Sequence, residues 1–508
     1  MELIGLLPEL FTLGNLLAIL AGVLGGLCIG ALPGLTANLG VALLLPITFS
    51  MDVTAALLML ISLYTAAIYG GAFPAILLHT PGTSASAATA IDGFVLTQRG
   101  EADKAIRVVT LSSVVGGMVS GVALLVFAPP LSLLSLKFGP AEYFMLAVFG
   151  LTVIATLSTG NMIKGLISGA AGLLLSTVGM DINSGFPRYT FGFFELQSGI
   201  NFVPAVIGLF SLSQALLMCE EAGRSIQRVE AAARGWRFLP TRAEIRQIRT
   251  TLARSSVIGV IVGILPGAGG DIGSWVSYNE AQRFARDKRQ FGRGSIVGIS
   301  ASETANNAVT GSSLIPLLTL GIPGSTTAAI LLGALVIHGL LPGRTLFEEH
   351  AHITYTVILG FMLANLVMGV AGMALGRYAT RVTRLPNFVL VPVIIVLSVV
   401  GSYSLGNNFF DVYTMLAFGI VGYFMRKAGF HPAPMILGLI LGPIAETGFR
   451  QSMTLADGPV IGYLLRSPIS LTLFALTLIS VVTAAWLEYR RVRSEKHNQN
   501  PDDSTPAH

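Results

Sequence analysis

Basic residues are missing over long stretches of this sequence. No lysine or arginine precedes Arg99, and none lies between Gly294 and Gly343. The N-terminus therefore lacks the basic region of a cleaved signal peptide, and "MELIGLLPEL" reads as a retained amphipathic lead-in. Cysteine is nearly absent as well: Cys28 and Cys219 both fall in apolar segments, which argues against a disulfide framework. No G-x4-G-K-[ST] occurs, so the chain has no phosphate-cradling loop for an ATP-driven pump. Neither H-E-x-x-H nor G-x-S-x-G occurs, and paired cysteine ligands are missing. These absences point away from an enzyme, and no cofactor is expected.

What the chain has instead is apolar length. Of its 508 residues 53% are hydrophobic and only 11% charged. From Leu10 to Ile91 the one formal charge is Asp52, and from Gly294 to Gly343 it is Glu303. Windows of roughly 20 apolar residues recur, the length that crosses ~30 Å of hydrocarbon. The fold class expected is an all-α polytopic membrane protein. The net charge of +5 sits in loops. Arginine-rich segments at 220–254, 283–293 and 377–384, with the tail "EYRRVRSEK", are placed in the cytoplasm by the positive-inside rule. "DINSGFPRYTFGFFELQSG", "SYSLGNNFFD" and "LPGRTLFEEH" then face the other way. The final "HNQNPDDSTPAH" reads as disordered.

Proline and glycine interrupt the apolar segments in a repeated pattern. "GALPGLTA" (30–37) shares Gly-x-Leu-Pro-Gly with "GILPGAGG" (263–270), and "PAILLHTPGT" (74–83) matches "PLLTLGIPGS" (316–325). Pro33 pairs with Pro266 at an offset of 233, and Pro81 with Pro323 at 242; the "RFARDKRQF" insertion accounts for the difference. Two copies of one unit are implied. The expected organisation is a first membrane repeat at 1–219, a basic cytoplasmic linker at 220–254, a second repeat at 255–487 and a tail at 488–508. After the first break, copy one continues with the uncharged-to-acidic "TFSMDV", whereas copy two has Arg283, Arg286, Lys288, Arg289 and Arg293. After the second break the bias reverses, with Arg99, Lys104 and Arg107 set against Arg344, Glu348 and Glu349. Opposite charge at matched loops predicts inverted-topology repeats.

Arg254 and the 283–293 loop are both assigned to the cytoplasm, so the chain between them must dip in and return. About eleven residues of helix rise ~16 Å, half a bilayer. "PGAGG" then tips a re-entrant hairpin, "PGLT" tips its inverted counterpart, and "PGT" and "PGS" break two further segments near the midplane. Broken backbone at that depth belongs in protein interior or along a wet cavity. Half-helix N-termini offer free N–H groups to an anion, and "PGAGG" offers a backbone nest. The substrate-binding candidates are Pro33, Gly34, Thr36 and Asn38; Pro81, Gly82, Thr83, Ser84 and Ser86; Pro266, Gly267, Gly269 and Gly270; and Pro323, Gly324, Ser325, Thr326 and Thr327. Their hydroxyls and amides supplement backbone donors to carboxylate oxygens, and some serve only as helix caps. Single Pro-Gly kinks are common in transmembrane helices; four in matched pairs read as a site.

These segments closely resemble the large membrane subunit of tripartite tricarboxylate transporters, the TctA-like family. The resemblance spans about residues 10–490. It rests on "GALPGLTANLGVALLLPITF", "HTPGTSASAATAIDG", "GILPGAGGDIGSWVSYNEAQR", "ETANNAVTGSSLIPLLTLGIPGSTTAAILLGAL" and "HGLLPGRTLF". It implies a multi-pass carrier of the bacterial inner membrane, with its C-terminus in the cytoplasm by the charge rule above. The carrier would take up tricarboxylates or related organic-acid anions by ion-gradient-driven symport. The implied partners are a small four-helix membrane subunit and a periplasmic solute-binding protein. The particular substrate is not inherited.

A second group of candidates concerns the coupling ion. Asn306 and Asn307 are costly in a membrane interior unless paired, and their carbonyls are hard ligands suited to Na⁺; helix–helix hydrogen bonding is the other reading. Glu303 and Asp271 each read either as a carrier of a proton or cation or as a residue near a helix end. His79 reads as a titrating group or as a structural histidine, and Asp92 as a helix-end residue. A substrate anion needs positive charge that the basic-free stretches do not supply, so co-transported Na⁺ or H⁺ is expected. An ion or anion channel is the rival reading, because re-entrant hairpins also build selectivity filters.

Overall fold

The computed structural model describes residues 3–32, 34–134, 137–157, 162–181, 184–220, 239–265, 267, 269–376 and 387–482. Pro33, Pro266, the basic positions within 221–238 and 377–386, and the expected tail lie outside the described residues. The described chain is almost wholly helical, with one two-residue β-hairpin. Among the described residues six helical segments are long and apolar enough to cross a membrane: Leu13–Ala31, Val53–Leu78, Ala102–Leu133, Phe202–Glu220, Ala351–Leu375 and Phe388–Gly406. Shorter apolar helices accompany them, as the Pro-Gly breaks predict.

Contacts divide the chain into two units, Met1–Lys137 with Asn201–Phe424, and Phe138–Ile200 with Met425–His508. Each expected repeat contributes to both. The first unit opens with α1 (Leu13–Ala31), α2 (Ala37–Leu44), α3 (Val53–Gly70), α4 (Ala72–Leu78), α5 (Ala87–Gln98) and α6 (Ala102–Leu134). In the second unit α7 (Pro140–Leu157) and α8 (Met162–Ser176) precede strands β1 (Gly179–Met180) and β2 (Pro187–Arg188). The chain returns to the first unit through α9 (Phe202–Val206) and α10 (Ser213–Glu220). There follow α11 (Arg242–Ile264), α12 (Gly269–Phe284), α13 (Ile296–Ser312), α14 (Leu314–Leu320) and α15 (Thr326–Ile337). Helices α16 (Ala351–Leu375), α17 (Asn387–Gly406) and α18 (Phe409–Lys427) close that unit, and α19 (Ala433–Leu455) belongs to the second.

Caps explain several of the helix starts. Thr36 Oγ1 accepts from Leu39 N at 3.4 Å, Asp52 from Thr54 N at 3.0 Å and Ser325 Oγ from Ala328 N at 3.1 Å. Thr241 and Glu244 form a reciprocal capping box at the start of α11. That helix runs unbroken from Arg242 past Arg254, so the basic segment and the apolar segment that follows are one element. Likewise the 279–294 segment is not all loop, since α12 continues to Phe284 before the basic turn. "TFSMDV" holds the end of a 3₁₀ turn, Leu45–Ser50, and the cap of α3.

Glycine sets the closest helix contact. A methyl built on Gly26 of α1 would lie 2.8 Å from Ala66 Cβ and 2.9 Å from Ala67 N of α3; one on Gly30 would lie 2.9 Å from Gly70 Cα. The same packing recurs 233 positions on. Gly259 and Gly263 of α11 sit against Ala308 and Ser312 of α13, with the Gly259 methyl 2.6 Å from Ala308 Cβ. Small residues let helices pack closely where lipid supplies no hydrophobic drive. Helix α3 is thereby enclosed: the Val53–Leu78 span is 89% buried.

The second unit packs α19 against α8 through Gly172 and Gly438, where an added methyl on Gly438 would meet Leu173 N at 2.6 Å. Its β-hairpin pairs Gly179 with Arg188 and Met180 with Pro187. An alternating ion network ties the hairpin to α19. Arg188 bonds Glu446 at 2.6 Å, and Arg450 bonds Asp181 at 2.7 Å and Glu446 at 2.8 Å.

Gly26→Ala and Gly30→Ala should each destabilise the protein by about 1–3 kcal/mol through overpacking. Gly25→Ala, whose methyl meets nothing closer than 3.9 Å, should be neutral. Thermal unfolding of the detergent-solubilised chain checks this; equal effects at positions 25 and 26 would refute the packing account.

Candidate functional site

The local chemistry of each break is written in its residues. Helix α4 ends in a left-handed residue, His79 at φ 56°, and α14 ends the same way at Gly321, φ 73°. In both copies a backbone N–H then closes back on the proline carbonyl, Thr80 N to Pro74 O and Ile322 N to Pro316 O, each at 3.2 Å. Next, Gly82 N donates to Gly71 O at 3.1 Å, and Gly324 N to Ser313 O at 3.3 Å. A methyl on Gly82 would run into Gly30 O, and one on Gly324 into Gly263 O. The second break of each copy is therefore seated against the end of the first helix of that copy. His79, exposed at its left-handed position, stacks on Phe94 at 4.8 Å.

The breaks also pair across copies. Thr327 Oγ1 donates to Asn38 Oδ1 at 2.5 Å, joining the start of α15 to α2. Ser84 Oγ donates to Asp271 at 2.9 and 2.8 Å, joining the 3₁₀ turn Ser84–Ser86 to α12. Asn38 and Asp271 are separated by the same 233 positions as the two first breaks. Gly269 N donates to Gly324 O at 3.4 Å, which brings "PGAGG" to "PGS". All four breaks thus meet in one ring. Gly34 and Gly267 hold left-handed turns at φ 86° and 74° beside it.

The candidate residues divide by what they touch. Thr36 and Ser325 cap their helices, and Thr83 Oγ1 pairs with Ser86 Oγ at 3.0 Å. Asn38, Asp271, Thr36 and Thr326 are half-buried, and Ser84 is exposed, so the ring is not closed over at these residues. Pro81 is half-buried, whereas Gly82, Pro323 and Gly324 are buried.

Asn306 and Asn307 are both buried within α13, but they face different surroundings. Asn307 Nδ2 donates to Ser113 Oγ at 2.8 Å and to Glu303 O at 3.3 Å. Asn306 has neither its Nδ2 nor its Oδ1 paired, and its carboxamide lies against Gly270 beside Ala85. Glu303 is not at an exposed helix end. It is fully buried, accepts from Thr89 Oγ1 at 2.5 Å and from Ser113 Oγ at 3.5 Å, and belongs to a polar cluster with Asn307. Asp92 is buried, and its carboxylate accepts from Gly294 N, Ser295 N and Tyr278 Oη, each at 2.8 Å; it anchors the start of α13.

Sequence reasoning passed over the residues that lock the ring in place. Tyr64 Oη bonds Ser325 Oγ at 2.9 Å and Ser313 Oγ at 3.4 Å. Thr65 Oγ1 donates to Asn365 Oδ1 at 3.0 Å. The signal was available: "LYTAA" and the lone amide in "FMLANLVMG" are polar groups in otherwise apolar helices.

A family model described as the tripartite tricarboxylate transporter TctA family matches residues 16–437. An Agrobacterium vitis protein described as an uncharacterized 52.8 kDa protein in the TAR-I ttuC' 3' region is 36% identical over 481 residues, 95% of each chain. A second protein from that organism, in the TAR-II ttuC' 3' region, is 33% identical over 237 residues, covering 47% of this chain and 98% of the relative. The chain belongs to the TctA family.

Thr89→Val should lower stability by roughly 1–3 kcal/mol, because it strips a donor from the buried Glu303 carboxyl. Adding Glu303→Leu removes the acceptor too and should restore part of the loss. Unfolding of the purified variants measures both; a double variant no better than the single one would show that the pair is not coupled.

Proposed function

We propose that this TctA-family chain is the membrane-spanning carrier subunit of a binding-protein-dependent secondary transporter, driven by an ion gradient, for tricarboxylates or related organic-acid anions. The observation that carries the reading is the ring of four Pro-Gly breaks. Nothing in a soluble core requires four matched breaks to converge, whereas a carrier with inverted repeats assembles its midplane site from such broken helices. The N-termini of α2, α12 and α15 open at the ring and offer backbone donors to carboxylates. Asn38, through its Nδ2, and Thr326 add side-chain donors there.

Burying an unpaired anion costs several kcal/mol after relaxation. A helix N-terminus returns typically 0.3–1 kcal/mol and up to ~2 in favourable geometry. The balance leaves a di- or trianion short of positive charge, and the stretches around three of the four breaks contain no lysine or arginine. Co-transported Na⁺ or H⁺ makes up the difference, with Asn306, Asn307, Glu303 and Asp271 as the coupling residues. In this scheme a small four-helix membrane subunit and a periplasmic solute-binding protein complete the transporter. The chain sits in the bacterial inner membrane with a cytoplasmic C-terminus, and its two repeats are upside down relative to each other.

Two measurements test this. With the partner subunits reconstituted into vesicles, organic-acid uptake should saturate, accumulate against a gradient and stop when the Na⁺ and proton gradients are collapsed, even with ATP present. Purely downhill flux would instead favour a channel. Separately, single cysteines at positions 50 and 289 of a chain lacking Cys28 and Cys219 should label from opposite faces of the membrane; labelling from one face would end the inverted-repeat account.

A further inference from the structure

The ring has two corners related by the repeat, and they differ in charge. At one, Asn38 meets Thr327; at the other, Asp271 meets Ser84. Position 38 and position 271 correspond, so the repeat has placed an amide in one corner and a carboxylate in the other. The amide offers N–H donors to an anion, and the carboxylate repels one. The N-terminus of α12, worth about half an elementary charge, offsets only part of Asp271, so this corner stays net negative. Asn306, 1% exposed and with both polar ends unpaired, faces the same corner through Gly270. A buried carboxamide without a protein partner has both polar ends available to a ligand. Ser84 oxygen, the Asp271 carboxylate and the Asn306 carbonyl form an all-oxygen set of one negative charge, which suits a monovalent hard cation.

We infer that the coupling cation binds at the Asp271–Ser84–Asn306 corner, and that it must load before the anion, which engages the uncharged Asn38–Thr327 corner. The order follows from charge. An organic-acid carboxylate entering the ring meets Asp271 bare and is repelled; with the cation seated, the corner is neutral and the anion's second carboxylate is tolerated. The inference rests on the carrier reading above, and the test separates the two.

The full chain, purified in detergent, is titrated with Na⁺ in the absence of any organic acid, with K⁺ and choline as controls. The wild type should show a saturable rise in Tm with Na⁺ alone. Asp271→Asn and Asn306→Ala should raise the half-saturating Na⁺ concentration at least tenfold. Ser84→Ala should raise it several-fold and guards against a folding failure at the other two positions. Asn38→Ala should leave the Na⁺ response in place and raise the organic-acid concentration needed for half-maximal uptake. A Na⁺ response unchanged in Asp271→Asn, or lost equally in Asn38→Ala, overturns the assignment. A wild-type chain blind to Na⁺ without organic acid, yet driven by Na⁺ in uptake, overturns the binding order. Uptake indifferent to every ion gradient would instead defeat the carrier reading.

Discussion

A chain that stops being helical inside an apolar interior frees amides that have no water to bond. The rest of this structure follows from how it answers that constraint. At each second break the freed N–H of a glycine, Gly82 or Gly324, is returned to the carbonyl of the residue that precedes the short helix, Gly71 or Ser313. The hydrogen bond is possible only because the glycine fits directly against the end of a neighbouring helix, at Gly30 or Gly263. Helix packing, the broken segments and the exposed donors of the ring are three aspects of one arrangement.

Because the solution is used twice, the two copies lock into each other. Asn38 reaches Thr327 of the other copy, and Asp271 reaches Ser84. Tyr64 and Thr65 of α3 extend the link to Ser325 and Asn365. Hydrogen bonds between hydroxyls are individually modest, but Tyr64, Thr65, Ser325 and Asn365 are buried and have no aqueous alternative. Symmetry in the backbone leaves the side chains free to differ, and at corresponding positions 38 and 271 they differ by one formal charge. A charged corner and a neutral corner cannot bind the same group equally well.

Much of this was legible in the sequence, because proline and glycine leave marks that composition cannot hide. The paired Pro-Gly blocks predicted where helices stop, and α2, α12 and α15 begin just after three of them. The low charge predicted apolar spans. What the pattern did not convey is three-dimensional pairing. Nothing in the spacing said that the first break of one copy meets the second break of the other. Glu303 illustrates the gap. As a lone charge near a basic loop it suited a helix end, yet it lies buried because Thr89 and Ser113 supply the hydroxyls that make its burial tolerable. Asn306 and Asn307 look interchangeable as neighbours, but a helix turns 100° between them, so Asn307 donates to Ser113 beside Glu303 while Asn306 faces Gly270.

The enclosure of α3 bears on how the chain is made. Two of its hydroxyls find their partners far downstream: Tyr64 bonds a residue 261 positions later and Thr65 one 300 positions later. At about 5–20 residues per second of synthesis, tens of seconds separate insertion of this segment from arrival of its partners. During that interval the newly made helix sits among lipids that it will later exclude. The high hydropathy of Val53–Leu78 serves that waiting period as much as the finished protein. It keeps a segment whose final neighbours are protein stable in the bilayer until the second half is threaded around it.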